Sequence, residues 1–373
     1  MKVLHLISGG DTGGAKTHII SLMVQLKKLV DAKVICFIKD TFYDDVLKAG
    51  VDIEVFEQKK RTDLSVVDRL TEEILRGGYD IIHCHGARAN FIGMFLKKRI
   101  NKPMITTVHS DYRLDFKDNF YKRLIFTPLN AIALRKFDYY IAISEEFKQM
   151  LVDRGFDEKK IFIVYNGIDM DDEPNYVSKE EFFNRYNIDF KGKKVIGIMA
   201  RLDVVKDHET FIKAAKRVLE ERKDVIFLIA GSGNEEKKLK SLVRDFNIED
   251  SIHFLGYVKD PYSFYNAIDI NVLTSLSESF PYVILEGARF KKPIITTNVG
   301  GISHLIKDGQ NGYLIEVKDS ESLADRMLNL IEDEKKIEIM GNNLYQCVIN
   351  DYSSRSMAKK HKEIYESILE NTY

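Results

Sequence analysis

The sequence predicts an α/β protein built as two doubly wound domains. Its 373 residues are long enough for two separate cores. Short β-rich runs alternate with amphipathic helical segments, and this alternation occurs twice. Between the two sets lies a stretch with Asn-Gly and Pro signals and no long apolar run.

The first set of strands is expected at 2–7 (KVLHLI), 33–37, 52–56, 79–85 (YDIIHCH), 103–109 (PMITTVH), 139–144 and 161–166. Each runs into a turn or a helical segment, the pattern of a parallel sheet covered by helices on both faces. The second set is expected at 194–200 (KVIGIMA), 225–231 (VIFLIAG), 251–256, 269–274 (DINVLT), 293–298 and 312–317. These limits give a first domain over 1–165, a hinge or linker over 166–190 and a second domain over 191–354. In the last segment Met357, His361, Ile364, Tyr365 and Ile368 recur at helical spacing. A helix over about 355–373 therefore needs a surface to cover, and the first domain is expected to supply it. The freedom of Asn166-Gly167 makes 166–169 the expected hinge.

The composition, 45% apolar and 30% charged, is that of a globular chain. A formal net charge of −1 gives no electrostatic reason to expect nucleic acid as a partner. Cys36, Cys84 and Cys347 are few and scattered, which fits neither a disulfide framework nor a zinc site. No apolar run approaches the roughly 20 residues of a membrane span, and the N-terminal apolar stretch is too short for a signal peptide. A cytoplasmic location is expected.

Ligands of open parallel sheets bind beyond the carboxyl ends of the strands, and the chemically informative residues fall there. Gly9, Gly10, Gly13 and Gly14 link a strand to a helix, without the spacing of a dinucleotide fingerprint or of a P-loop. Gly231 and Gly233 form a second such turn and read equally as tight-turn residues or as ligand contacts. Arg201 and Lys206 follow the first strand of the second domain, where a planar fork and a point charge suit a diphosphate. Pro281 opens a helix between Glu278 and Glu286, and helix openings attract anions.

Two carboxylates framing an anion site make sense for a nucleoside-diphosphate sugar, whose phosphates lie between two hydroxyl-rich rings. Donor contacts are placed at Phe280, Tyr282 and Val283, with the backbone N–H groups near the last two, Arg201 and Lys206 on the phosphates. Glu286 accepts from ribose hydroxyls and Glu278 from the donated sugar. The plainer reading is two glutamates beside a helix start, worth only ~0.3–1 kcal/mol.

Gly13-Gly14, His109 in TTVHS, NGID at 166–169, Arg201 with Lys206, GSGNEEKKL, FLGY, the seven-residue spacing of Glu278 and Glu286, and VGGISHLIKDGQNGYLI at 299–315 together resemble the retaining glycosyltransferases of family four. The resemblance covers nearly the whole chain. It implies the GT-B fold, two Rossmann-like domains facing a central cleft, and transfer of a hexosyl group from a UDP- or GDP-linked donor to a glycan or lipid-linked hydroxyl. It further implies that Gly14 lets backbone approach the diphosphate and that His109 approaches the transferred sugar. His109, Glu278, Arg201 and Lys206 are thus the catalytic candidates, with no nucleophile among them, no cofactor and no metal. Asp169, Asp171 and Asp172 offer an Asp-x-Asp metal pattern, set against this by their place in the linker.

The chain departs from the family pattern at Ser303 and His304, where an acidic residue is common, and at Arg289 and Phe290, where small residues are usual. His83 and His85 are read as orienting the cleft wall, and His18, His208 and His253 as surface or packing residues. Residues 112–137 alternate cations with Phe, Leu and Ile. They read either as an amphipathic helix on its own sheet or as a peripheral contact with anionic membrane, which would place the protein at the inner face. A sugar-nucleotide epimerase and a noncatalytic sugar-nucleotide sensor remain as alternatives of other classes.

Overall fold

The structure, a computed structural model, describes the chain except at residues 11–13, 62, 110, 112, 114–119, 172, 279 and 372–373, with backbone alone at 14–15 and 120–126. It divides into two compact units. Unit 1 comprises Met1–Asp169 and Ser353–Tyr373, and unit 2 comprises Met170–Tyr352.

Unit 1 begins with β1 (Lys2–Ile7), α1 (Gly14–Leu26), β2 (Asp31–Cys36), α2 (Thr41–Lys48), β3 (Ile53–Val55) and α3 (Ser65–Gly77). It continues with β4 (Ile81–His85), α4 (Gly86–Leu96), β5 (Met104–Val108), α5 (Phe120–Leu134), β6 (Tyr139–Ala142), α6 (Glu145–Asp153) and β7 (Ile161–Ile163). The strands pair in the order β3-β2-β1-β4-β5-β6-β7, each pair parallel. Strand alternation sends Leu4, Leu6, Ile82, Cys84 and Met104 into the core beneath α3 to α6, and Val3, Ile7, Ile81 and Ile105 to the opposite face.

Unit 2 contains α7 (Lys179–Tyr186), β8 (Lys194–Met199), α8 (His208–Glu221), β9 (Val225–Ala230), α9 (Glu236–Asp245), β10 (Ile252–Gly256) and α10 (Pro261–Ala267). Then come β11 (Ile270–Leu273), α11 (Tyr282–Arg289), β12 (Ile294–Thr297), α12 (Ile302–Leu305), β13 (Gly312–Ile315), α13 (Ser320–Ile331) and α14 (Glu334–Asp351). Its strands are also parallel, in the order β10-β9-β8-β11-β12-β13. The chain leaves β8 toward one edge and returns to β11 on its other side, so β8 and β11 border the switch point of the sheet.

The last helix, α15 (Ser354–Glu370), belongs to unit 1, where Met357, Ala358, Tyr365 and Ile368 pack with residues of α1 and β1. The expected linker needs correction. Residues 170–190 lie in unit 2, and α7 forms inside that range, capped by Ser178, with Phe182 and Phe183 buried beneath the sheet. Two adjacent aromatics on an eight-residue helix anchor it without the long apolar run that the sequence lacks. Gly167 also departs from expectation. Its φ is not positive, and a Cβ there would meet the Ser353 carbonyl oxygen at 2.6 Å, so close approach to the start of α15 is what requires glycine.

Of the segment 112–137, Tyr112 and residues 114–119 lie outside the described residues, as do the side chains of 120–126. Beyond them Ala133, Leu134 and Phe137 are buried, while Arg135 lies over the Phe156 ring and donates to the Arg154 carbonyl. That end packs on its own unit. No helix among the described residues is long and apolar enough to cross a membrane.

Two loops of unit 2 lock together through missing side chains. Gly231 has φ +143°, and a Cβ on it would lie 1.9 Å from the Ala200 carbonyl oxygen; one on Gly233 would lie 2.2 Å from that of Leu202. The backbone carries the same contact, with Leu202 N–H donating to Ser232 O and Glu235 N–H to Leu202 O, both at 3.0 Å. Both glycines, expected as donor contacts, are thus required by the loop that carries Arg201.

Gly231→Ala should destabilise unit 2 by about 2–6 kcal/mol, combining a strained φ with overpacking. A urea midpoint equal to the parent's would show that the loops do not touch. Tyr365→Ala, which empties a fully buried site, should lower hydrogen-exchange protection in β1 and β4 by roughly 3–5 kcal/mol; unchanged protection would place α15 elsewhere.

Candidate active site

In unit 2 the loops after β8 and β11 carry the candidate residues and are tied to each other. Thr274 Oγ1 donates to the carbonyls of Lys206 and Asp207, each at 3.0 Å, and Leu276 N–H donates to Val205 O at 2.8 Å. Thr297, at the end of β12, donates to Ser275 O at 2.6 Å. This mesh fixes the backbone beneath Lys206 and Glu278.

Lys206 Nζ donates to Glu278 Oε1 at 2.5 Å, and Ser275 Oγ donates to the same oxygen at 2.6 Å. Both charged side chains are mostly covered, 19% and 10% exposed, so the pair is shielded from water more than a surface ion pair is. Both donors spend Oε1, and among the described residues Oε2 has no partner. Lys206 was expected on the diphosphate alone, and the structure joins it to the sugar-directed carboxylate. Its ammonium keeps two further protons for an anion. Arg201 is different in kind. Its side chain is 79% exposed and, among the described residues, held only by Asp203 at 3.2 Å.

Helix α11 starts at Tyr282, directly after Pro281, and among the described residues no side chain caps it. Val283 O accepts from Asn271 Nδ2 at 3.0 Å, pinning the first turn to β11. One turn on, Glu286 accepts from the Tyr265 hydroxyl at 3.0 Å. Burial raises the Glu286 pKa above the ordinary glutamate value, only partly opposed by that bond. The folded state therefore binds its proton more tightly than the unfolded chain, and ionising it costs stability as pH rises from the ordinary value through the folded one. A carboxylate so placed gains from additional hydroxyl donors. The Tyr282 hydroxyl is buried nearby with no partner among the described residues.

Phe280 is a correction. Expected as a donor contact, it is 2% exposed and stacks on Tyr352 with ring centroids 5.2 Å apart, so its side chain supports the loop from within. Arg289 and Phe290 find their own partner in Tyr262, the first over its ring at 5.3 Å and the second tilted against it. Ser275, Thr274 and Tyr265 were not anticipated. The Ser-x-x-Glu spacing of Ser275 and Glu278 was the available signal for the first; Tyr265 lies on another helix and left none.

In unit 1, Gly13 lies outside the described residues, and Gly14 is the first residue of α1. His109 directly follows β5 and is half-buried. It stands edge-on to His18 at 4.8 Å, and its Nε2 lies 3.5 Å from His85 Nδ1. His18, His83 and His85 are fully or almost fully buried, as is His208 in unit 2.

Residues 12–172 match the model of Glycosyltransferase Family 4 and residues 178–346 that of Glycosyl transferases group 1. A UDP-Gal:alpha-D-GlcNAc-diphosphoundecaprenol alpha-1,3-galactosyltransferase of Escherichia coli is 26% identical over 79% of this chain and 76% of its own. An N-acetyl-alpha-D-glucosaminyl L-malate synthase of Bacillus anthracis is 28% identical over 82% of this chain and 80% of its own. The crystal structure of Anabaena HepE with UDP shares the fold, with a TM-score of 0.82 at 21% identity, over 98% of this chain and 100% of that one. With a parallel α/β unit under each family model, the chain belongs to the glycosyltransferases of family four and has the GT-B fold.

Proposed function

We propose that this glycosyltransferase moves a hexosyl group, with retention, from a UDP-linked sugar to a hydroxyl of a lipid-linked glycan. The observation that carries the donor reading is the Lys206–Glu278 pair. A cation with protons to spare and a carboxylate with one oxygen to spare stand side by side, as a diphosphate and the sugar joined to it would need. UDP is supported by the UDP-galactose in the name of the E. coli relative and by the UDP in the Anabaena structure. The diphosphoundecaprenol acceptor of the E. coli relative supports the lipid-linked class, for which the protein would meet anionic lipid at the inner face of the membrane.

In the reaction the bond from C1 to the leaving phosphate oxygen breaks, and the acceptor oxygen bonds to C1 from the same face. The acceptor proton passes to the departing phosphate, so no protein nucleophile is required. Arg201, Lys206 and the opening of α11 hold the growing negative charge on the diphosphate. Glu278 Oε2 and His109 orient the sugar, and Glu286 accepts from the ribose hydroxyls. Protein cations take the place of a divalent metal.

Calorimetry with UDP should show Glu286→Ala binding about tenfold to a hundredfold more weakly, the loss of charge-assisted bonds. Glu278→Ala should lose turnover while keeping most of its UDP affinity. Unchanged UDP affinity in Glu286→Ala would remove the ribose assignment. Donor hydrolysis or transfer should persist in EDTA, and Arg201→Ala should lose roughly 10²–10³ in rate, about 2.7–4 kcal/mol. Activity that vanishes in EDTA and returns with Mg²⁺ would overturn the metal-free account.

A further inference from the structure

Six of the nine histidines lie together in unit 1. Strand alternation puts His5 of β1 and His83 and His85 of β4 on the sheet face covered by α1 and α15, and His109 extends the same alternation beyond Thr107 of β5. His18 comes from α1 and His361 from α15.

His5, His83 and His85 approach closely enough to suggest a metal ligand set. Their bonding argues otherwise. His83 and His85 are stacked, centroids 4.2 Å apart, with rings only 28° from parallel. His83 engages the Tyr365 hydroxyl with Nδ1 at 2.6 Å and that of Thr107 with Nε2 at 2.8 Å. The facing nitrogens of His5 and His85 are spent on each other, His5 Nδ1 to His85 Nε2 at 3.0 Å. His85 Nδ1 then continues to His109 Nε2 at 3.5 Å. The three rings form a line leading outward from the core to the half-buried His109.

We infer that His85, and His5 behind it, are positioning residues that fix His109 in the tautomer carrying its proton on Nδ1. Burial holds all these imidazoles well below their usual pKa, so each is neutral, with one donor and one acceptor nitrogen. The inner end of the line then sets the direction. His5 Nε2 is buried without a partner among the described residues, and an orphaned N–H is harder to accommodate there than a bare lone pair. Its neighbours follow the same rule. His18 Nδ1 faces Asn166 Oδ1 and His361 Nδ1 faces the Met357 carbonyl, each at 2.9 Å, which leaves their buried Nε2 atoms bare. With the His5 proton on Nδ1, His85 accepts at Nε2 and donates from Nδ1. His109 accepts at Nε2 and is left to donate from Nδ1. On the donor reading proposed above, His109 therefore offers a hydrogen bond to a sugar or phosphate oxygen and cannot act as a general base.

Long-range ¹H–¹⁵N spectra of the full chain labelled with ¹⁵N-histidine, at pH 7.5, read the tautomer without substrate. The His109 signals are identified by their loss in His109→Gln. Nδ1 should appear protonated and Nε2 bare; a protonated Nε2 on His109 overturns the inference. His85→Leu should release His109 to the other tautomer and slow transfer roughly tenfold, the loss of one hydrogen bond. His85→Asn, whose amide can still donate to His109, should restore both. A folded His85→Leu protein that keeps the Nδ1 proton would show that the line does not set it. If His85→Leu does not fold, the parent spectrum still decides. Failure of the protein to bind UDP would instead sink the donor reading and leave the tautomer result standing.

Discussion

The parallel pairing of β8 with β11 is the constraint on which the candidate site depends. Neighbouring parallel strands end on one edge, and because the chain leaves these two toward opposite edges of the sheet, the helices that follow them pack on different faces. The loops are left adjacent with little between them. Thr274 and the Leu276–Val205 bond close that gap, and the two glycines beyond β9 hold the Arg201 loop from its other side. The ion pair of Lys206 with Glu278 is a product of this strand order, since the two residues are 72 positions apart in the chain.

Unit 1 has the same kind of topology but fills the space behind its switch point differently. There the residues under α1 and α15 are imidazoles, kept uncharged by burial. Their folded pKa values lie below the unfolded value of 6.5, at about 3 for His5 and His361 and about 4 for His18. The unfolded chain therefore binds more protons below pH 6.5, and the stability of this unit falls as pH drops from there toward the folded values. Charge at the site of unit 2 is paired where it is mostly covered; in unit 1 it is excluded from an interior.

The strands were legible because each is a short apolar run bounded by turn residues, and every expected run overlaps a strand, though β2 begins at Asp31, before the expected 33–37. The positions of Arg201, Lys206, Glu278 and Glu286 beyond the ends of β8 and β11 were legible too. Less visible was what each residue leans on. Phe280 reads as a ligand contact because it sits between two candidate residues, yet its partner Tyr352 is 72 positions away at the end of α14. Gly231 looks like a phosphate-loop glycine, and only the nearby Ala200 carbonyl gives the other reason for it. The short α7 escaped notice because two buried phenylalanines suffice to hold it. The histidine line was half visible. His83, His85, Thr107 and His109 alternate along their strands, but nothing local announces that His5, His18 and His361 face them.

The division of unit 1 into Met1–Asp169 and Ser353–Tyr373 has a consequence during synthesis. A ribosome completes all of unit 2 before it makes the 21 residues that finish unit 1, counted from 353 to 373. Through that interval α1 is present to cover this face of β1 and β4 but α15 is not, and unit 2 alone has its full complement of chain. The usual situation, in which the N-terminal domain has all its chain when it emerges, does not hold for unit 1. Val3, Ile81, Ile105 and the histidines beside them stay short of their native partners until α15 has emerged.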